Sequence, residues 1–205
     1  MEDKINKMFH EASDLHDSVN QHYGEPSKFS GDRDPYWTHI GDVLQLAMEF
    51  GKYLPEFDKY KHIIAFGACF HDAIEDARET YNDIMKRARN YFESEEEAKM
   101  ATEIVYALTN EKGRTRAERA NEMYYEGIRT TPFASFIKCC DRLANYNYAK
   151  LNGTTMAPKY EAEMPEFINH VVTGSDDMFY MVPSIVVTEL NDKRPSMFYK
   201  HEYDQ

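Results

Sequence analysis

The chain has 205 residues, with 36 acidic against 24 basic side chains and a net charge of −12. Such a balance speaks against a nucleic-acid binder, because affinity for a phosphate backbone comes from clustered Lys and Arg. The three cysteines, two of them adjacent as Cys139-Cys140, do not make a disulfide framework and fit a reducing compartment. No Pro/Gly/Ser-rich linker divides the chain, Met1-Glu2-Asp3-Lys4 opens with charge, and the longest apolar run is far below membrane-spanning length. The expectation is one soluble, cytoplasmic domain spanning 1–205, bound neither to membrane nor to nucleic acid.

Apolar residues at Ile5, Met8, Phe9, Ala12, Leu15 and Val19 are spaced by threes and fours, which predicts an amphipathic helix over 2–22. The Gly, Pro and Ser content of 23–35 predicts an irregular loop leading to Tyr36. A second helix carries His39 in its first turns and runs to about Phe50, with Gly51 as its stop. A third, over 63–77, begins with an apolar run, Ile63 to Phe70, that would bury it on every side. Thr80 and Ser94 are N-caps for the next two helices, and Ser94 to Glu97 matches a capping box ahead of Met100, Ile104, Val105 and Leu108. The densest basic stretch follows, Lys112 to Arg119, with Thr115 as an N-cap and Glu118 closing a box. A helix over 132–151 holds Phe133, Phe136, Ile137, Cys140, Leu143 and Ala144 inward and sets Asp141 and Asn145 one turn apart, before Asn152-Gly153 ends it. The helical pattern continues over 159–172 and from about 176, interrupted by Pro183, and Ser184 to Thr188 reads equally as strand. The predicted class is all-α, a helical bundle.

If 63–77 is one helix, turning about 100° per residue, then His71, Asp72, Glu75 and Asp76 share one arc of it. Unpaired charge is costly at the end of so apolar a helix, so the cluster calls for a metal or an equivalent counter-charge. His39 upstream and Asp141 downstream extend the set to two imidazoles and two carboxylates, donors suited to Mn²⁺, Fe²⁺ or Zn²⁺. A divalent ion in such a site acidifies water and polarises a phosphoryl oxygen, which makes hydrolysis the natural outcome. Glu75 and Asp76 are not needed as ligands and are free to orient and deprotonate the attacking water. His10, His16, His22, His62, His170 and His201 lack a comparable carboxylate grouping and are read as ordinary histidines. Trp37, Tyr146 and Tyr148 are read as core aromatics rather than base-stacking residues. In so acidic a chain, Lys112, Arg116 and Arg119 are the candidates for contact with distal phosphates.

Four stretches together carry a family resemblance: Asp34-Pro35-Tyr36-Trp37-Thr38-His39, Ala68 to Asp76 with its His71-Asp72-x-x-Glu75-Asp76 core, Leu108-Thr109, and Lys138 to Asn145. Their order resembles the HD superfamily of metal-dependent phosphohydrolases. Within it they are most similar to the guanosine-polyphosphate (alarmone) hydrolases of the RelA/SpoT type, over roughly 33–170. The resemblance implies a single HD-type helical bundle with the metal, Mn²⁺ foremost, between central helices on His39, His71, Asp72 and Asp141. It implies Glu75 and Asp76 serving the nucleophilic water and Asn145 touching the nucleotide. The implied reaction is removal of the 3′-pyrophosphate from ppGpp, pppGpp or an adenosine analogue. A nucleotide phosphomonoesterase, including one acting on a phosphorylated dinucleotide such as NADPH, is the alternative, and a non-catalytic alarmone- or partner-binding domain is a third. The partner is a small-molecule nucleotide, with a homo-oligomer left open. Two positions and one loop depart from the family pattern. Asp34 stands where Gly is usual and Ile40 where Pro is usual, and the loop before Asp34 offers Lys28 and Arg33 in place of the family's basic pair.

Overall fold

A computed structural model of the chain describes residues 2–27, 30–110, 114–115, 118 and 121–194. The described residues form an all-helical bundle with one minor two-stranded pairing. Helix α1 (Glu2–Ser18) buries Met8 and Ala12 on the apolar stripe that the sequence spacing predicts. The chain then makes a short antiparallel pair, β1 (His22–Tyr23) with β2 (Asp34–Pro35), in the stretch expected to be irregular throughout. Helix α2 (Trp37–Gly51) and helix α3 (Phe57–Phe70) pack on each other and on α1. No helix among the described residues is long and apolar enough to cross a membrane.

The predicted helix over 63–77 is instead broken. Helix α3 stops at Phe70, His71 and Asp72 form a turn, and a single-turn helix α4 (Ala73–Asp76) restarts from Asp72, whose backbone sits at φ −102°, ψ 3°. Asp72 makes no side-chain cap bond to α4, because its carboxylate is engaged elsewhere. A hydrophobic period cannot register such a break, since neither Gly nor Pro marks it. Just beyond, Arg87 donates to both oxygens of Glu79 at 2.8 and 3.0 Å and to Glu11 Oε1 at 2.5 Å, tying α1 and the helix that carries Arg87 to the loop behind Asp76.

Helices α5 (Tyr81–Tyr91) and α6 (Glu95–Leu108) begin at the predicted caps. Thr80 makes a full capping box with Asp83, while Ser94 accepts from Glu97 N at 3.5 Å. Thr115 accepts from Glu118 N at 3.1 Å, as its reading as an N-cap requires. Helix α7 (Glu122–Thr130) leads to α8 (Ala134–Leu151), which starts two residues later than predicted because Phe133 adopts a left-handed conformation at φ 62°. Helix α8 is the hub of the bundle, touching α2, α3, α6, α7, α9 (Ala157–Val171) and α10 (Ser184–Asn191). The ambiguous Ser184 to Thr188 is thus helical, started behind Pro183, and the stretch from 176 makes only turns before it.

Ile63 to Phe70 is buried throughout, so α3 has room for no larger side chain at its closest approach. A Cβ on Gly67 would lie 2.7 Å from both Ile104 of α6 and Ile137 of α8. Gly67→Ala is expected to lose about 1–2 kcal/mol in urea unfolding, overpacking outweighing the gain in helix propensity. Gly127→Ala, in α7 with open space around it, is expected to gain about 0.5–1 kcal/mol. A Gly67→Ala variant as stable as the parent would refute the packing assigned to α3.

Candidate metal centre

Three helices deliver the predicted ligands to one point. His39 comes from the first turn of α2, His71 and Asp72 from the break after α3, and Asp141 from the middle of α8. The Nε2 atoms of His39 and His71 face each other at 3.1 Å. Asp72 Oδ2 lies 2.9 Å from His71 Nε2 and 3.7 Å from His39 Nε2. Asp141 Oδ1 lies 3.4 Å from His39 Nε2 and 3.9 Å from His71 Nε2. His39, His71 and Asp72 form a group compact enough to hold a metal ion, and Asp141 borders it.

The donor chemistry fits a cation. His71 Nδ1 lies 2.9 Å from the Ala68 carbonyl, which fixes the proton on Nδ1 and turns the Nε2 lone pair toward His39. The Nε2 lone pair of a neutral His71 and the two carboxylates then crowd one spot, which the Nε2–H of a neutral His39 offsets only in part. Without a metal, protons relieve this. Burial opposes charge on His39, but hydrogen bonds with Asp141 and Asp72 prevail and raise its pKa to about 9. His71 is raised in the same way, burial being overcome by the Asp72 charge. Burial likewise opposes ionisation of both carboxylates, yet His71 holds Asp72 well below the usual range and the Lys138 ammonium does so for Asp141. The imidazoles thus carry the positive charge that a divalent ion would supply.

A cleft of about 210 Å³ opens on this cluster, walled by Asp72, Glu75, Asp76, Asn110, Lys138 and Arg142, among others. Glu75 is exposed and accepts from Asn110 Nδ2 at 2.7 Å. Asp76 accepts from Gln21 Nε2 at 3.1 Å, and burial, followed by the charges of Asp72 and Glu75, lifts its pKa to about 6. Asn145 donates to Asp141 Oδ1 at 2.6 Å and accepts from Tyr23 OH at 3.0 Å, so the one-turn spacing of Asp141 and Asn145 acts as predicted. The broken helix alters one expectation. Glu75 and Asp76 reach the cleft from their own short helix, not as further turns of α3.

Lys112, Arg116 and Arg119, the predicted phosphate contacts, lie outside the described residues, as does Lys28. Arg33 is exposed. Sequence reasoning missed Lys138, whose Nζ sits 2.9 Å from Asp141 Oδ2, and Arg142, which pairs with Glu163 at 3.1 Å on the cleft wall. The signal was their spacing: 138, 141, 142 and 145 share one helical face. Tyr148 was read as core and is buried, yet with Tyr23 and Tyr160 it also lines a neighbouring cavity of about 240 Å³ that meets the cleft at Asn145. Comparison with models of protein families, with curated proteins and with solved structures found no match for this chain.

A raised histidine pKa gives metal binding a definite pH dependence. In the metal-free fold, the His39 contribution to stability is fully present below its ordinary value of 6.5 and is lost as pH climbs through about 9. Metal must displace that proton, so affinity for Mn²⁺ is expected to rise with pH up to about 9. Calorimetry at pH 7 in buffers of different ionisation enthalpy should record release of about one proton or more per ion bound. Binding without proton release would contradict the electrostatics described.

Proposed function

We propose that this chain is a metal-dependent phosphohydrolase that removes the 3′-pyrophosphate of a guanosine polyphosphate alarmone or its adenosine analogue. The observation that carries the hydrolase reading is the group His39, His71 and Asp72, which meets a cleft through Asp72 and Asp141, with Glu75, Asp76, Lys138 and Arg142 on the same cleft wall. A divalent cation held by His39, His71, Asp72 and Asp141 supplies Lewis-acid polarisation of a phosphoryl group and acidification of water toward neutrality. The substrate class rests on the resemblance carried by the four sequence stretches, with the aromatic cavity beyond Asn145 providing space for a nucleoside.

The chain's own residues account for the rest of the step. Asp76, with a pKa near 6, is matched to accepting a proton from water at neutral pH, and Glu75, oriented by Asn110, directs that water. Oxygen of the water bonds to the phosphorus attached to the 3′-oxygen, the bond from that phosphorus to the 3′-oxygen breaks, and the released oxygen takes a proton from solvent. Pyrophosphate and a nucleoside 5′-diphosphate, or 5′-triphosphate from pppGpp, with a free 3′-hydroxyl are the products. Lys138 and Arg142 offset charge on the phosphates, which the acidic chain would otherwise repel.

The test is product analysis with the Mn²⁺-supplemented protein and ppGpp, ppApp, NADPH and GTP in parallel. The expected outcome is pyrophosphate from one or both of the first two, reduced by about 10²–10⁴-fold in Glu75→Gln. Orthophosphate alone would replace the proposal by a phosphomonoesterase, and absence of turnover with all four would remove the alarmone assignment.

A further inference from the structure

One ring pair beside the cluster is unexplained by ligation or by the cleft. Tyr36 is 5% exposed, and its hydroxyl donates to Asp72 Oδ2, the same oxygen that faces both imidazoles. His16 of α1, 1% exposed, lies flat against the Tyr36 ring with centroids 4.3 Å apart and planes 17° apart. Both His16 ring nitrogens are buried without a hydrogen-bond partner. Leaving two such groups unsatisfied is unfavourable, so His16 stands there for its flat ring and not for its polarity. The edges of Tyr23 and His39 close on the other sides of Tyr36, at 6.2 and 5.5 Å. Stacking on one face and edge contacts around it leave the phenol a single orientation, with the hydroxyl on Asp72.

The geometry points to Tyr36 as a positioning residue for the metal ligand Asp72, aimed by the His16 ring. A carboxylate can bind a cation through one oxygen or both. A hydroxyl held against Oδ2 fixes the rotation of the Asp72 carboxylate and keeps that oxygen turned toward His39 and His71. Helix α1, which contributes no ligand, thereby sets the coordination mode from one layer out. This inference rests on the reading of His39, His71 and Asp72 as metal ligands, and its test separates the two.

Co²⁺ alone is the probe, added to the full chain and followed by calorimetry and by its visible absorption bands, which respond to how the carboxylate binds. Tyr36→Phe keeps the ring and the stack and removes only the hydroxyl. It is expected to weaken Co²⁺ binding by about 10–100-fold and to alter the bands. His16→Ala is expected to weaken binding as well, His16→Phe to restore it, and His16→Ala to add nothing on top of Tyr36→Phe, since both act through one contact. A Tyr36→Phe protein that binds Co²⁺ within about threefold of the parent, with unchanged bands, overturns the inference while leaving the metal centre in place. If circular dichroism shows Tyr36→Phe unfolded, the His16 pair decides: loss in Ala with recovery in Phe supports the inference, and equal binding in both overturns it. Failure of the parent protein to bind Co²⁺ overturns the metal centre and the inference with it.

Discussion

Two buried imidazole nitrogens face each other at 3.1 Å, and the arrangement of the bundle follows from keeping them there. Nδ1 of His71 is committed to the Ala68 carbonyl, so its Nε2 presents a lone pair that the Nε2–H of a neutral His39 can meet. A cation between the rings would take both Nε2 lone pairs instead, and Asp72 and Asp141 are placed to stabilise its charge. His71 keeps helical angles at φ −52°, ψ −35°, so it and Asp72 stand where α3 carries them, both within reach of His39 on α2; the departure at Asp72 sets Glu75 and Asp76 on a separate short helix.

Helix α8 solves the remaining problem of placing charge at the centre of an apolar bundle. Most of its surface is core, yet Lys138, Asp141, Arg142 and Asn145 form one polar stripe along it. Each member has a partner: Lys138 and Asn145 hold Asp141, and Arg142 reaches Glu163 while lying over the rings of Tyr160 and Phe167. Burial resists the charge on Asp141, and the adjacent ammonium overcomes it, which is the condition under which a buried carboxylate persists. The same lysine, with Arg142, brings positive charge to a cleft on which Asp72, Glu75, Asp76 and Asp141 also open.

Helices and most of their starts were legible because apolar spacing and capping chemistry are local. Thr80, Ser94 and Thr115 all accept the hydrogen bonds expected of N-caps. Ligand candidates were legible for another reason: His71-Asp72 followed by Glu75-Asp76 is a charge density that an apolar helix end does not carry idly. What escaped was anything set by tertiary geometry. The backbone turn at Asp72 and the left-handed Phe133 have no Gly or Pro to announce them. The partner of Asp141 is Lys138, one helical turn back, whose contact only the folded chain shows. His16 was set aside for lacking carboxylates nearby, although only the folded chain shows the ring against which it stacks.

The positions at which the sequence differs from the alarmone-hydrolase pattern it resembles have contacts of their own. Ile40, in place of proline, donates its backbone N–H to the Tyr36 carbonyl at 3.3 Å, a bond that proline could not make, and buries its side chain completely. Asp34, in place of glycine, accepts from Tyr148 OH at 2.6 Å and so joins the β1–β2 pair to the end of α8. Across from it Gly24, at φ 75°, leaves room for the Tyr148 ring, since any Cβ there would overlap it. Asp34, Gly24 and Tyr148 therefore shape one wall of the cavity beyond Asn145, away from the metal ligands. The candidate ligands and the cavity wall are thus carried by separate residues: Asp34 acts on the cavity through Tyr148, whereas Ile40 packs in the core beside His39.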